Sequence, residues 1–356
     1  MTSLASWRYA LFALLTLIPV PVIGWLLGNN WLMPLLIFVL VPLLDLAVGR
    51  DPRNPSPEQE RQLATHWRFR LGLYAQVPVQ LALIVWGAMV IASGQLSTSQ
   101  ALGLTLSIGL STGGQGIMIA HELGHKKSLF DRVLAWLLLV SVSYGHFYIE
   151  HNRGHHARVA TPDDPATARF GESFYRFYPR AVAGSFASAW RLERERLRRR
   201  GLPLLHWRNQ MLWFGAAPAA IALLLWLAFG GWAVLFFFAQ SWVAFSLLEL
   251  INYVEHYGLE RARRADGGLE RVTHLDSWNA SETLTNWFLL NLQRHADHHA
   301  HPARPYQILR HYDDSPQLPT GYPGMALVAL LPPLWFRLMN PRVEQLRRRD
   351  AGPAPA

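Results

Sequence analysis

Six long apolar segments restrict the fold of this chain more than any other feature. A helix of about 20 apolar residues crosses the hydrocarbon core of a membrane and satisfies its own backbone polar groups there. Charged residues make up only 16% of the sequence, whereas a soluble domain usually carries about 25%. We therefore predict an all-α, polytopic membrane protein with six transmembrane helices. The segments are Tyr9–Leu27, Trp31–Val48, Leu71–Ser93, Ala101–Ala120, Met211–Phe229 and Trp232–Ile251.

The connections between these segments differ in charge. Residues 28–30, 94–100 and 230–231 carry no charge, whereas arginine accumulates between the second and third segments, before the fifth and after the sixth. Because positively charged loops stay in the cytoplasm, both termini and the arginine-rich loops are predicted to be cytoplasmic. The net charge of +9 suits loops beside anionic lipid, and no nucleic-acid-binding pattern accompanies it.

Further predictions concern the segments around these spans. The first apolar run has no signal-peptide cleavage site of the small-x-small type, so we expect it to be retained as a span. If the apolar stretch 133–148 crossed the membrane, the motifs on its two sides would face opposite compartments, so we expect it to be buried or interfacial. One integral-membrane domain is expected over residues 1–345, with cytoplasmic cap segments at 121–210 and 252–345, followed by a disordered tail at 346–356.

Histidine is concentrated in four short clusters. They hold nine of the fifteen histidines, all at predicted cytoplasmic ends of spans or in cytoplasmic segments. His295, His298 and His299 have the spacing i, i+3 and i+4, which puts three imidazoles on one face of a helix. Three such side chains converging on one point indicate a metal site. The nine candidate ligands are His121, His125, His151, His155, His156, His256, His295, His298 and His299.

Nine imidazoles predict two metal ions, because one ion takes about four to six ligands. Imidazole suits iron, zinc, copper and nickel, and the spacing does not choose among them. A carboxylate stands beside each cluster, where it either orients an imidazole N–H or is simply a solvated charge. The six remaining histidines are expected to be structural or exposed, and we single out His146 and His274 among them because they lie close in sequence to clusters. The four carboxylates are Glu122, Glu150, Glu255 and Asp297.

Two other classes of protein are alternatives to one with a two-metal site. The segment HELGH at 121–125 matches the zinc metalloprotease motif H-E-x-x-H, in which the glutamate is the general base. A protease needs a single zinc with one more ligand, so this interpretation leaves seven clustered histidines unexplained. Metal transporters generally carry ionisable residues near the membrane midplane. Here Asp45 and Glu249 lie close to the cytoplasmic ends of spans, which argues against transport.

The four clusters resemble, in order, the signature blocks of the membrane-bound non-haem di-iron alkane 1-monooxygenases, within the fatty-acid desaturase and hydroxylase superfamily. The long second block and the NYVEHYG block are the specific ones, since desaturases share the histidine boxes but usually lack NYVEHYG. The resemblance runs from about Trp31 to Phe336. It implies that the nine histidines are iron ligands in a six-helix bundle with a cytoplasmic cap, in the bacterial inner membrane. The blocks are HELGHK at 121–126, EHNRGHHARVATPDDPA at 150–166, NYVEHYG at 252–258 and LQRHADHHAHPARPYQ at 292–307.

The same resemblance implies an activity: O2-dependent terminal hydroxylation of medium-chain n-alkanes to 1-alkanols at two iron ions. An unactivated C–H bond offers no group for acid–base or nucleophilic attack, so it requires metal cofactor chemistry. The sequence contains no cysteine and hence no iron site held by four thiolates, so the implied electron donors are a separate rubredoxin and its reductase. The nearest alternatives are a fatty-acyl desaturase and a hydroxylase of xylene or fatty-acid methyl groups.

An alkane has no polar group, so the shape of a channel between the spans must select it. We predict that Trp31, Phe38, Trp86 and the small-residue stretch from Ser111 to Gly116 line or limit this channel. The alternative is that these residues face lipid or pack helices together. The arginine-rich loops are candidates for docking an acidic rubredoxin, and their alternative role is to set the topology beside anionic lipid.

Overall fold

A computed structural model describes residues 19–264 and 266–350 of the chain. Every regular element in these ranges is a helix, and the only extended pairings there are isolated β-bridges. The predicted all-α class is therefore confirmed. In chain order the helices are α1 (Val20–Leu26), α2 (Leu32–Val48), α3 (Pro57–Thr65), α4 (Trp67–Ala92), α5 (Thr98–Gly124), α6 (Leu129–Val140), α7 (147–158), α8 (Phe174–Arg198), α9 (Gln210–Phe229), α10 (Gly231–His256), α11 (Thr283–Phe288), α12 (His295–Ala300), α13 (Tyr322–Ala329) and α14 (Pro332–Asp350).

Four of these helices, α4, α5, α9 and α10, are long and apolar enough to cross a membrane. They cover the third to sixth predicted spans. Helix α2 is shorter but apolar, and it covers the second predicted span. The first predicted span lies mostly outside the described residues, and α1 is the part of it that the structure describes. The protein is thus a multi-pass helical membrane protein, and the count of six spans stays a prediction.

Two hairpins, α4–α5 and α9–α10, position the histidine clusters. In the first turn, the Ser97 hydroxyl accepts from the Gln100 N–H and the Gln100 side chain accepts from the Ser97 N–H, forming a capping box. In the second turn, Gly230 adopts a φ of 83°, which glycine tolerates without strain. The C-terminal ends of α5 and α10 then meet away from these turns, and they carry His121 and His256.

Close packing of α5 on α10 holds these two ends in register. A Cβ atom on Gly109 would lie 2.5 Å from the Val243 Cβ, and one on Gly113 would lie 2.7 Å from the Ala244 carbonyl oxygen. Small residues allow membrane helices to approach this closely. A larger side chain at either position would push the two helices apart, together with the histidines at their ends.

Helix α2 fixes the start of the segment that carries the last histidine cluster. Asp45 Oδ1 accepts from the backbone N–H groups of Leu284 (3.0 Å) and Thr285 (3.2 Å) at the beginning of α11. Asp45 Oδ2 accepts from the Thr285 hydroxyl. Arg50 adds an ion pair with Glu282 at 2.9 Å. These contacts join an apolar helix to the polar segment that leads into α12.

The stretch 133–148 contains the end of α6, a helix of 12 residues. Such a helix is about 18 Å long and is too short for a hydrocarbon core of about 30 Å. It buries Leu138 and Leu139 in the core and exposes Leu129 and Phe130 at its start. Its geometry suits a segment that lies buried on one side and does not cross, and its position in the membrane stays a prediction.

The predicted disordered tail needs a correction, because α14 continues to Asp350. Residues 346–350 are helical, and tertiary contacts explain why. Val343 is fully buried, Leu346 packs against the core, and Arg347 pairs with Glu260 at 2.8 Å. Residues 351–356 lie outside the described residues.

Candidate metal centre

The nine clustered histidines meet in two adjacent groups at one end of the helical bundle. Within each group the ring nitrogens lie within 4.8 Å of one another. Sequence reasoning predicted that these nine side chains would meet, but not how they would divide. The five-histidine group contains His121, His125, His151, His156 and His298, and the four-histidine group contains His155, His256, His295 and His299.

The spacing of the nitrogens in the five-histidine group is that of metal ligands. Two nitrogens that sit about 2.1 Å from one metal at a right angle are about 3.0 Å apart. An imidazole nitrogen has one in-plane direction for its proton or lone pair, so it cannot make two hydrogen bonds at once. The Nε2 of His151 nevertheless lies this close to two neighbours. The Nε2–Nε2 distances are 2.9 Å for His121–His298, 3.1 Å for His125–His151, 3.0 Å for His151–His156 and 3.2 Å for His156–His298.

The four-histidine group has the same spacing. The Nε2 of His299 lies 3.2 Å from that of His155 and 3.0 Å from that of His295. The Nε2 atoms of His256 and His295 are 3.3 Å apart. The two groups adjoin each other, because the ring of His156 in the first lies 4.6 Å from the ring of His299 in the second.

A π-helical turn at Glu150–His155 in α7 distributes the second cluster between the two groups. In a π turn the hydrogen bonds run from i to i+5, so residues five positions apart share a face. His151 and His156 are such a pair and belong to the five-histidine group. In a regular α-helix they would point about 140° apart. His155 faces the four-histidine group instead, so one short helix supplies both groups.

Helix α12 also supplies both groups, which corrects the prediction that its three imidazoles converge on one point. His295 and His299 belong to the four-histidine group, whereas His298 belongs to the other. The helical geometry explains the division. Relative to His295, positions i+3 and i+4 lie on opposite sides, about 100° apart. The three side chains share a broad face, and that face spans two centres.

The electrostatic environment keeps these imidazoles in the form that binds metal. Burial lowers the pKa values of His295, His298 and His299 well below the usual range. Burial, with a smaller contribution from the Lys126 ammonium, lowers the pKa of His125 to about 3. A neutral imidazole offers a lone pair on its ring nitrogen, and an all-imidazole donor set suits iron, zinc, copper or nickel. Spacing, protonation state and donor type together fit a metal centre.

Asp164 orients one candidate ligand, and sequence reasoning missed it. Its Oδ2 accepts a hydrogen bond from Nδ1 of His155 at 2.8 Å, and both groups are buried. Burial by itself would raise the pKa of Asp164, but the His155 imidazole and the Thr167 hydroxyl hold this pKa below its ordinary value. The contact leaves Nε2 of His155 directed at the other nitrogens of the four-histidine group. Its position in the PDDPA end of the long second block was the available signal.

Two of the four predicted carboxylates flank the ligand helices, with different partners. Glu255 places Oε2 3.2 Å from Nε2 of His295, on the side where the ring nitrogens converge. Glu122 instead ion-pairs with Lys126 at 2.5 Å and accepts from the backbone N–H of Tyr306 at 3.4 Å. Glu255 is therefore next to the metal centre, whereas Glu122 is bound to a cation and a backbone group.

The other two predicted carboxylates brace the protein around the centre. Glu150 ion-pairs with Arg158 at 2.5 Å across the π turn of α7. Asp297 is fully buried, ion-pairs with Arg304 at 2.6 Å and accepts from the Tyr312 hydroxyl at 3.0 Å. Neither contact involves a clustered histidine. Glu150 thus joins the two ends of the π turn, and Asp297 joins α12 to the chain that follows it.

An apolar cavity lies between the apolar helices and ends at the metal centre. Residues of α2, α5, α10, α11 and α13 form its walls, including Phe38 and Phe288. His121, His151 and His295 line its inner end, and they come from both groups. The cavity therefore presents any apolar occupant to the place where the two groups adjoin.

The predicted channel residues have mixed outcomes. Phe38 lies on the cavity wall, and so do Gly113 and Gly114 of the small-residue stretch. Ser111 and Gly116, at the ends of that stretch, are not among the lining residues. A run of six residues turns through all sides of a helix, so only part of it can face one cavity.

Trp31 and Trp86 pack helices together and do not line the cavity. Trp31 donates from Nε1 to the Ser99 hydroxyl at 3.3 Å, and a Cβ atom on Gly103 would lie 2.9 Å from the same nitrogen. Trp86 makes an edge-to-face contact with Trp25, with ring centroids 5.7 Å apart. These contacts fit the helix-packing alternative for both tryptophans. In segments that are apolar on every side, the sequence does not indicate which side chains face inward.

Fold and site together define a multi-pass membrane protein with a histidine-rich metal centre at the end of an apolar cavity. The fatty acid desaturase family model matches residues 97–328. The chain is 47% identical over 327 residues to alkane 1-monooxygenase 2 of Pseudomonas aeruginosa, covering 90% of this chain and 87% of the relative. It is 45% identical over 352 residues to alkane 1-monooxygenase 1 of the same organism, covering 96% and 92%. The chain therefore belongs to the alkane 1-monooxygenase family, which confirms the resemblance.

A more distant relative is named for one of the alternative activities, the oxidation of xylene. The xylene/toluene monooxygenase hydroxylase component XylM of Pseudomonas putida is 28% identical over 340 residues, covering 93% of this chain and 88% of the relative. The chain is thus an oxidoreductase of the non-haem alkane monooxygenase type. The metalloprotease alternative loses its basis, since His121 and His125 share their group with three other histidines and Glu122 pairs with Lys126.

Proposed function

We propose that this protein hydroxylates medium-chain n-alkanes at the terminal carbon, giving 1-alkanols, in a reaction that consumes O2 at two iron ions. The relatives that are 40–47% identical are named alkane 1-monooxygenases, which supports this substrate class. The apolar cavity that ends between the two histidine groups carries the proposal. An alkane offers only apolar surface, so burial in such a cavity is the binding energy available to it.

The two histidine groups would each hold one iron, with five imidazoles on one and four on the other. Bound there, the irons would supply the oxidising power, drawn from O2 and two electrons, that an unactivated C–H bond requires. The part of the protein itself is positional. Wall residues such as Phe38 and Phe288 exclude water and hold the alkane. One terminal methyl group of the alkane then reaches His121, His151 and His295.

Electrons would enter where the centre approaches the protein surface. Of the nine clustered histidines, His125 and His156 are partly exposed and the other seven are buried. Lys126 is paired with Glu122, so the exposed Lys127, two residues after His125, supplies the charge of this basic edge. We propose that an acidic rubredoxin, itself reduced by its reductase, docks on this basic edge by electrostatic steering.

The arginine-rich loops fit a structural role better than a docking role. Arg50 pairs with Glu282, Arg53 with Asp51, and Arg61 with Glu58. Paired charges of this kind offer little net field to an approaching acidic protein. Their number still supports the topology, because the positive-inside rule counts lysine and arginine near the ends of spans.

The membrane arrangement proposed for the protein has six spans, the first at Tyr9–Leu27, in the bacterial inner membrane. Both termini and the metal centre would face the cytoplasm, and residues 1–345 would form one domain. The uncharged turns at 94–100 and 230–231 support it, since they lie at the ends of the hairpins opposite the histidine groups.

A turnover assay tests the proposal. The iron-loaded protein in lipid nanodiscs would receive octane, rubredoxin, its reductase and ¹⁸O2, and the product would be analysed by mass spectrometry. The expected product is 1-octanol that carries one ¹⁸O atom. Parallel reactions would offer m-xylene and a saturated acyl thioester. Preferred oxidation of the xylene methyl group or desaturation of the acyl chain, with no octanol, would refute the substrate assignment.

Two histidine variants separate the role of the clusters from general damage. His295→Ala removes a candidate ligand at the end of the cavity and is expected to abolish octanol formation and to lower the iron content. His206→Ala changes a histidine outside both groups, so activity and iron content should stay near the parent values. Equal loss in both variants would remove the support that the nine histidines give to the proposal.

A further inference from the structure

A second cavity is separate from the first and shares no lining residue with it. Helices α8 and α9 and the segment between α6 and α7 form most of its walls. Phe186, Trp190, Phe214 and Phe245 make it mainly aromatic. Its occupant must therefore be largely apolar.

One buried polar atom in this cavity has no partner. His146 is only 8% exposed, its ring lies edge-on to Tyr144 and Phe186, and its Nε2 makes no hydrogen bond within the described structure. A buried polar group without a hydrogen-bond partner destabilises the protein. A ligand that hydrogen-bonds Nε2 would remove this destabilisation, so the cavity is suited to an apolar molecule with one polar end.

The protonation state of His146 selects among polar ends. Burial lowers the pKa of His146 to about 4, so its ring is neutral near pH 7. A neutral ring can exchange a hydrogen bond with a hydroxyl group. It gives no counter-charge to a carboxylate, which would then lose its hydration without compensation. The site therefore favours an alcohol over a fatty acid.

Aromatic and hydrogen-bonding side chains lie between this cavity and the first one. Tyr144 and Phe245, stacked with centroids 4.8 Å apart, face the second cavity. The Tyr144 hydroxyl donates to Glu249 Oε1 at 2.6 Å, and Glu249 Oε2 accepts from the side chain of Asn252 at 3.3 Å. Asn252 lines the first cavity. Hydrogen-bonding groups thus lead from the cavity at the metal centre to the second cavity.

We propose that the second cavity is a binding site for a primary alcohol with a medium-length alkyl chain, whose hydroxyl group hydrogen-bonds Nε2 of His146. Such an alcohol is the product class of the reaction proposed above, and the inference rests on that function for the identity of its ligand. The site would hold the product after it leaves the metal centre and before it enters the membrane. The hydroxyl group of the product would pass along the hydrogen-bonding side chains of Asn252, Glu249 and Tyr144.

Photolabelling tests binding directly and does not depend on turnover. The probe is 1-decanol with a diazirine in the middle of its chain, applied to the iron-loaded full-length protein in nanodiscs, followed by peptide mass spectrometry. We expect labels on the cavity-facing parts of α8 and α9, around Val182–Trp190 and Met211–Pro218. Unlabelled 1-decanol should compete, whereas decane and decanoate should not. Competition by a diacylglycerol but not by 1-decanol would assign the site to a lipid and overturn the proposal.

Variants of two residues separate a built site from ordinary partitioning into the membrane. His146→Phe keeps an aromatic ring but removes Nε2, and should lower labelling about five- to tenfold, which is what one hydrogen bond contributes. His146→Gln keeps a polar nitrogen at a similar reach and should restore most of the labelling. Unchanged labelling in His146→Phe would overturn the proposal.

Gly215 provides a way to fill the cavity without disturbing the core. A Cβ atom there meets nothing within 4 Å, and the residue lies on the cavity wall. Gly215→Leu should reduce labelling to background, whereas Ala216→Leu, at an exposed neighbouring position, should not. Equal labelling in both variants would show that the probe only partitions into the membrane and would overturn the proposal. Octane turnover is measured separately. If the protein binds decanol but forms no octanol, the proposed reaction is refuted and the proposed alcohol site stands.

Discussion

The Asp164 carboxylate accepts a hydrogen bond from Nδ1 of His155 at 2.8 Å, and so directs the other ring nitrogen of this histidine at the four-histidine group. Carboxylates that hold a metal-binding imidazole in this way typically change metal affinity 10- to 100-fold when they are removed. We therefore expect Asp164→Asn to weaken metal binding about 10- to 100-fold. Competition with a chelator, followed by metal analysis, measures this effect.

The neighbouring residue provides the control for that experiment. Asp163 is exposed, whereas Asp164 is buried. Asp163→Asn should retain metal like the parent protein. If both substitutions weaken metal retention equally, the hydrogen bond to His155 is not the cause.

The first cavity makes a prediction about chain length. Phe38→Ala removes an aromatic ring from the wall and enlarges the cavity. With a mixture of alkanes as substrate, the products should shift towards longer alkanols. Gly114→Leu should shift them towards shorter ones, because a Cβ atom there meets only Leu247, at an ordinary 3.7 Å, and the rest of the side chain enters the cavity. Gas chromatography of the alkanols measures both shifts.

Trp31 and Trp86 are the matched controls for this prediction, because both lie off the cavity. Trp31→Phe and Trp86→Phe should leave the product distribution as it is in the parent protein. A shift in these variants, with none in the variants at Phe38 and Gly114, would place the alkane elsewhere in the bundle.

The basic edge beside His125 makes a prediction about the electron donor. Lys127→Glu should raise the KM for rubredoxin about two- to fivefold at low salt, in line with the small free energy of an exposed ion pair, and leave kcat almost unchanged. Added salt should weaken turnover of the parent protein and reduce the difference between parent and variant. Arg348→Glu, on the exposed end of α14, is the control and should not change KM. Salt-independent turnover in the parent would count against electrostatic docking.

The absence of cysteine allows the topology to be tested at single sites. Gln95→Cys lies in the turn between α4 and α5, and Arg200→Cys lies just after α8 on the side of the metal centre. In spheroplasts, a membrane-impermeant maleimide should label Gln95→Cys only, and Arg200→Cys should react only after the membrane is opened. The opposite labelling pattern would reverse the proposed orientation.

Local spacing predicted much of the site because the clusters occupy equivalent ends of long helices. His121 and His256 lie at the ends of α5 and α10, and hairpin packing was enough to bring them near α7 and α12. That nine histidines lie together could therefore be read from the sequence, and their binding of metal stays a prediction.

The division into two groups could not be predicted in this way. It depends on a π turn in α7, which changes the angle between His151 and His156 without changing their separation in sequence. Asp164 was missed for a related reason, since its contact with His155 depends on how the loop after α7 folds back. Phe38 lines the cavity and Trp31 does not, and the sequence could not separate them, because a segment that is apolar all round gives no indication of its inner face.

The titration of metal-free protein with Fe(II), followed by octane turnover at each point, tests the central claim most directly. The parent should bind two irons per chain and become active only as the second is bound. His298→Ala and His299→Ala change adjacent residues that belong to different groups, so each should lose tight binding of one iron and keep the other. Full activity with a single zinc and no iron, or two irons bound equally tightly in both variants, would contradict the account.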